Sequence, residues 1–497
     1  MLPATPRSYH PPLTRSRLLD DPVTAPASLD CDVNDVHSQL NRTSVRRVIG
    51  VESVRDVQDA VRGAAAGGLS ISIAGGRHAM GGQQFGEGTV LLDMSALCRV
   101  VDLDAERGLL TVEAGIDWPR VVNHLIWAGG GRAGSWGIVQ KQTGADRLSI
   151  GGALAANIHG RGLALPPIIA DVESFDLVND AGALLTCSRA SNRDLFSLAI
   201  GGYGLFGVIV RVTLRLTPRR KLVRRVSITD TDDLPDVLER RIRDGFLFGD
   251  GQFATDPKSR DLMQTCVCAC YLPVSDAAPI PEGQRSLSIP DWQRLLRLAH
   301  ADKSRAFAEY ARFYTSTDGQ IYWSDTHQLA SYIDGYHAIL DRQLNAAVKG
   351  SEMISELFVP RAALGAFLSA VRDDVRAHGV NVIYGTIRLV ERDDESVLAW
   401  ARQPWACVVF NLHVDHSPEG LRRAEADFRR LIDRAVEVGG SYYLTYHRWA
   451  SREQVDRCHP RIREFLDLKR ACDPRGLFTS DWYRHHRRLM HEQLMEK

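Results

Sequence analysis

No excess of charge of either sign exists in this 497-residue chain, where Lys and Arg total 61 and so do Asp and Glu. A surface that grips nucleic acid leaves a basic surplus, so nucleic-acid binding is not expected. No stretch of about 18 consecutive apolar residues occurs, so no membrane span is expected. The opening residues, MLPATPRSYHPPLTRSRLLDD, hold Arg and Pro but no apolar segment, which is not the composition of a signal peptide. Self-similarity at a period of about 20–50 residues is also missing, which argues against solenoids and propellers. The nine cysteines are odd in number and lack framework spacing, which favours reduced thiols and a cytoplasmic location. Cys266, Cys268 and Cys270 alternate in CVCACYL and so share one face of a strand. Zinc sites more often place a C-x₂-C pair opposite a second pair, so a half-buried strand is expected here, with no metal.

What is present is a globular composition, 44% hydrophobic and 25% charged. The length exceeds what one ordinary core fills, so two domains are expected. Residues 1–40 are rich in Pro and Ser and read as a loose extension. Residues 41–220 carry short strands such as LSISIAG, TVLLDMS and GVIVRVTLRLTP, interrupted by a few helices. The helix in VRDVQDAVRGAAAGG has apolar spacing of three to four and stops at Gly67-Gly68. Residues 221–445 have their own set, with IPDWQRLLRLAH and LGAFLSAVRDDVRAHG as amphipathic helices and VNVIYGTIRLVE and CVVFNLHV as strands. Residues 446–497 close the chain with a helix stopped at Asp-Pro. The class is α+β rather than regularly alternating βαβ.

Chemistry concentrates in three glycine-rich stretches. In ISIAGGRHAMGGQQF a strand runs into a loop with Gly75, Gly76, Gly81 and Gly82 around Arg77 and His78. Glycines bare the main-chain N–H groups and admit positive φ, as close approach to a pyrophosphate requires. The spacing is not G-x-G-x-x-G, so a Rossmann fingerprint is not supported. LSIGGALAANIHGRG gathers Gly151, Gly152, Asn157, His159 and Gly160, and AIGGYGLFGVIVRV gathers Gly201, Gly202, Gly204 and Gly207. Three such approaches suit one long ligand better than a single phosphate.

Together these stretches resemble the FAD-binding half of the vanillyl-alcohol-oxidase, or PCMH-type, flavoprotein family. The resemblance implies a two-domain α+β PCMH-type FAD-binding fold with an antiparallel-sheet substrate, or cap, domain. It also continues into SELFVPRAALGAFLSAV and CDPRGLFTSDWYRHH, which resemble the substrate-domain and closing segments. Cofactor contacts are implied for Ala74, Gly75, Gly76, Arg77, His78, Ala79 and Met80. A second set is Gly144, Ser149, Gly151, Gly152, Ala153, Asn157 and His159, and a third is Gly207 and Ile209. In alditol oxidases an Arg-His pair in the first loop carries the histidyl flavin bond, and His78 matches that histidine. The NIHG portion is similar to decaprenylphosphoryl-ribose oxidases, whose flavin is held without a covalent bond.

Oxidation of a substrate C–H at a flavin needs a partner for the departing O–H proton and a dry site. Tyr384, Thr386 and Arg388 alternate on one strand face, as do Asn411 and His413 on another. So polar a face lines a substrate cavity or else is solvated. Arg388 matches a strand cation in both named relatives, whereas the glutamate of alditol oxidases is replaced by Thr386. The lysine of the ribose oxidase falls near Tyr446. The expected catalytic set is Arg388, Tyr384, Asn411, His413 and His159. The expected function is oxidation of an alcohol, sugar or polyol, or aldonolactone CH–OH group, with oxygen or another acceptor taking the electrons. A flavin-dependent C=C reductase of the sterol Δ24-reductase type is the alternative, and a flavin-binding protein without activity a more distant one.

Overall fold

The computed structural model describes residues 31–330, 333 and 335–491. Residues 1–30 of the extension expected at 1–40, among them the opening residues read above as unlike a signal peptide, lie outside the described residues. Residues 31–40 are not loose. Cys31–Val33 pairs antiparallel with Thr43–Val45, and the buried carboxylate of Asp35 accepts from the N–H of His37 and Ser38 at 3.0 and 2.6 Å. Asn41 then ties the turn to the glycine-rich loop by donating to the carbonyl of Met80 at 2.6 Å.

Three further sheets carry the architecture. In the first, Arg47–Gly50 and Ile71–Ala74 flank Val90–Asp93, all parallel. The crossover is the helix Val54–Ala66, started by the Ser53 side chain, which accepts from the Asp56 N–H, and closed at Gly67. Its buried Val57, Val61 and Ala64 lie at helical spacing, which is the apolar stripe the sequence displays. The closing segment docks on this sheet, since Ile71 donates to Leu477 at 2.6 Å and Thr479 donates to Ile71 at 2.9 Å. In the second sheet the long strand Val208–Pro218 lies between Val172–Val178 and Leu109–Glu113.

The third sheet has eight strands and is antiparallel, in the order 321–323, 221–230, 265–273, 248–253, 382–390, 405–415, 350–360 and 441–442. Cys266, Cys268 and Cys270 lie on its strand Thr265–Pro273 and are fully buried. That exceeds the half-burial expected, because both neighbouring strands are present and both faces are covered. One face of the sheet packs Leu357, Ile387, Val408 and Phe410 against Phe367, Val371, Phe428 and Leu431 of the helices Leu364–His378 and Pro418–Glu437. On the opposite face lie the helices Ile289–Ala301 and Lys303–Thr315. The molecule is thus α+β in two parts, the part that carries the glycine-rich loops and an antiparallel sheet beside it, as the resemblance implies. Among the described residues no helix is long and apolar enough to cross a membrane.

Candidate active site

A cavity of about 530 Å³ opens between the glycine-rich loops and the face of the eight-stranded sheet turned away from the helices 364–378 and 418–437, with the helices 289–315 as its far wall. Binding sites for cofactors and other small molecules run from roughly 300 to 1,000 Å³.

On the loop side, strand pairing ends at Ala74, opposite Asp93, and releases the amides from Gly75 onward. Arg77 turns the chain at φ +57° and its guanidinium stands 3.2 Å from Asp93. A Cβ on Gly75 would sit 2.1 Å from Ser149 Oγ, and one on Gly76 would sit 2.5 Å from the Arg147 carbonyl. Two stretches far apart in sequence therefore touch through bare backbone, which only glycine permits. The cavity wall includes Gly75, Gly76, Arg77, His78, Ala79, Met80, Gly144, Ser149, Gly151, Gly152, Gly207 and Ile209. His78 Nδ1 lies 2.9 Å from His37 Nε2. Burial, then the neighbouring His37 and Arg147, pushes its pKa down to about 3, so the imidazole is neutral at physiological pH.

On the sheet side, cross-strand register sets the arrangement. Tyr384 faces Asn411, Thr386 faces Val409, and Arg388 faces Cys407. On the next strand Glu356 lies opposite Val409 and Ile354 opposite Asn411. The face expected either to line a cavity or to be solvated is buried: Arg388 is 8% exposed and Asn411 6%. Glu356 is hydrogen-bonded to His159 Nε2 and accepts from Cys407 Sγ at 3.0 Å. Burial pushes the Glu356 carboxyl up, but His159, Arg388 and Cys407 outweigh it and hold it below the ordinary carboxylate range. Burial first, and then the Glu356 charge, pushes the phenol of Tyr446 upward, so it stays a proton donor.

Some expected residues stand elsewhere. Ala74 and Ala153 are buried in the core behind the loops. Asn157 adopts φ +49° at the end of the helix Ile150–Ala156, and its side chain donates to Asp393 at 2.8 Å, so it locks the loop rather than lining the cavity. His413 shares the face of Asn411 but lies two residues further along, in a separate pocket with His300, His337 and Glu352. The alternation was read correctly, but the strand runs past the end of the main cavity.

Sequence reasoning missed Glu356, Glu352 and Lys303. The two glutamates, four apart in SEMISELFVP, share a strand face, and that spacing was the available signal. Lys303 donates to the carbonyls of Ala299 and Val382 at 2.8 and 2.5 Å, and burial pushes its pKa down to about 8. Nothing in its local sequence marks it.

Comparison with known proteins agrees with the glycine-lined half. The FAD binding domain family matches residues 45–188. Over 490 residues, 95% of this chain and 98% of its relative, the chain is 25% identical to decaprenylphosphoryl-beta-D-ribose oxidase of Mycolicibacterium smegmatis. It is 34% identical over 184 residues to an oxidoreductase of the fasciation locus of Rhodococcoides fascians, spanning 40% of that protein's length. It is 31% identical over 144 residues to L-galactono-1,4-lactone dehydrogenase 2 of Oryza sativa subsp. japonica, spanning 24% of its length. The bare-backbone cradle and the size of the cavity fit FAD, and over residues 45–188 the chain carries an FAD binding domain of the PCMH type, similar to those of FAD-dependent oxidoreductases.

Proposed function

We propose that this chain oxidises a CH–OH group of a sugar, polyol or aldonolactone. The observation that carries this reading is the buried His159–Glu356 pair, set beside Arg388 on the wall that faces the glycine loops. FAD, when bound, supplies the hydride acceptor. Glu356 remains anionic and is the member of the pair that takes the hydroxyl proton, held in place by His159, whose Nε2 faces it and whose Nδ1 faces the Gly160 carbonyl at 3.1 Å. Arg388, whose Nη2 donates to Thr386 Oγ1 at 3.2 Å, orients the substrate oxygen and steadies the charge that develops on it. Tyr384 and Asn411 add hydrogen bonds to neighbouring hydroxyls, and Trp292, Phe307 and Phe253 exclude water.

In this reading residues 41–220 and 446–497 hold the cofactor and residues 221–445 supply the substrate wall. Oxygen or another acceptor completes the cycle. His78 tethers the flavin, and its neutral imidazole suits that bond. Acid precipitation should leave the yellow colour in the pellet of the wild type and release it from H78A; colour released fully from both removes the tether. Anaerobic mixing with a panel of alcohols and lactones should bleach the flavin. Bleaching by NADPH alone, with every alcohol inert, would overturn the assignment in favour of a C=C reductase.

A further inference from the structure

At the edge of the main cavity, whose wall includes Glu352, the side chains of His300, Glu352 and His413 converge from three elements. His300 lies in the last turn of the helix Ile289–Ala301, Glu352 on the strand Gly350–Pro360 and His413 on the strand Trp405–Asp415. Each offers one ligating atom, and these atoms all lie within 4.8 Å of one another. His300 Nε2 is 3.0 Å from Glu352 Oε1 and His413 Nδ1 is 3.4 Å from the same oxygen. The His300 side chain is 6% exposed, yet its Nε2 makes no hydrogen bond. That nitrogen is close to the carboxylate but misdirected for an N–H···O contact, as a lone pair sharing a cation with the oxygen would be.

The surroundings orient this set. Glu352 Oε2 is engaged by the Tyr336 hydroxyl and by His337 Nδ1 at 2.7 Å, which turns Oε1 toward the two imidazoles. On the far side of His413, Asp415 Oδ1 lies 3.4 Å from Nε2. With an ion bound, that carboxylate would hold the proton on Nε2, the usual support of a metal-bound histidine, and Nδ1, which here contacts Glu352 Oε1, would turn its lone pair to the ion. Gly350 makes room for the ring, because a Cβ there would come within 2.3 Å of His413 Cε1. A pocket of about 40 Å³ borders these residues, enough for an ion and a water.

We propose that His300, Glu352 and His413 bind a divalent first-row transition metal ion of the Zn²⁺ class. Two imidazoles and one carboxylate are a donor set of zinc sites that keep an open position for water. The ion joins the end of a helix that walls the main cavity, through Trp292 and Leu296, to two strands of the sheet, and so fastens that wall. The site stands apart from the alcohol-oxidation reading, because metal content is measured without turnover.

The test strips the purified flavoprotein with EDTA, supplies ZnCl₂, removes excess by desalting and measures zinc by mass spectrometry. About one equivalent per chain is expected in the wild type, and less than about a tenth in the doubly substituted H300Q/H413Q. D415N should weaken Zn²⁺ binding about 10–100-fold, as loss of an outer carboxylate does. Flavin content and metal-free melting temperature equal to wild type establish that the variants fold; if the double variant fails this check, H300Q alone is scored the same way. Wild type without retained zinc, or a folded variant that retains as much as wild type, overturns the proposal.

Discussion

Replacing Glu356 by Gln removes one charge from the active-site wall while keeping the side-chain volume. Glu356 is 3% exposed, bonded to His159 and approached by Cys407 Sγ at 3.0 Å. Gln can still accept from one of these neighbours, so the loss of stability should be about 1–3 kcal/mol. The catalytic loss should be larger. A neutral amide does not take up the substrate proton as the Glu356 carboxylate of the pair does. Losing a positioned proton acceptor slows a reaction about 10²–10⁴-fold, equivalent to about 3–5 kcal/mol in the barrier. The assay is anaerobic stopped-flow reduction of the bound flavin by the best alcohol found in the panel, with flavin content and melting temperature as controls. Acid stability offers an independent readout. The folded Glu356 carboxyl titrates below its unfolded value, so its contribution is complete above the unfolded pKa and disappears as pH falls through the folded one. Wild type should therefore lose stability on acidification that E356Q does not lose. Reduction within about threefold of wild type, with the flavin fully loaded, would refute the assignment of His159–Glu356 as proton acceptor.

R388A should slow flavin reduction by about 10²-fold or more without changing flavin content, and near-normal reduction would remove Arg388 from the site. G76A places a methyl 2.5 Å from the Arg147 carbonyl and 2.8 Å from His78 Cδ2, so the purified variant should show a much lower ratio of flavin to protein absorbance; full loading would mean this loop is not the cofactor cradle. Asp171, whose carboxylate accepts from Gln140 Nε2 at 2.9 Å, is pushed up to about 7, chiefly by burial. Its folded state favours the proton, so that contribution is present at acid pH and lost as pH rises through about 7. D171N should accordingly be the more stable protein above neutrality, by about 1–2 kcal/mol once partial solvent access is allowed for. Chemical denaturation at acid and alkaline pH checks this, and an equal gap at both ends would contradict it.

Local chemistry alone made much of this protein legible. Gly75 and Gly76 announce bare backbone wherever they fold, because the missing Cβ is a property of the residue. Tyr384, Arg388 and Asn411 were placed on shared faces because a strand alternates with period two whatever surrounds it. The sequence did not reveal which faces are covered, or where along a strand a cavity ends. The polar face could have been solvated until the helices 289–315 were found over it, and His413 kept its face but fell beyond the cavity. Glu356 meets His159 across 197 residues of chain, where the loop after the helix Ile150–Ala156 packs onto the strand Gly350–Pro360. That contact, like the approach of His300 to Glu352, was decided only when distant segments packed together, since no short-range pattern encodes a distance between side chains on different elements.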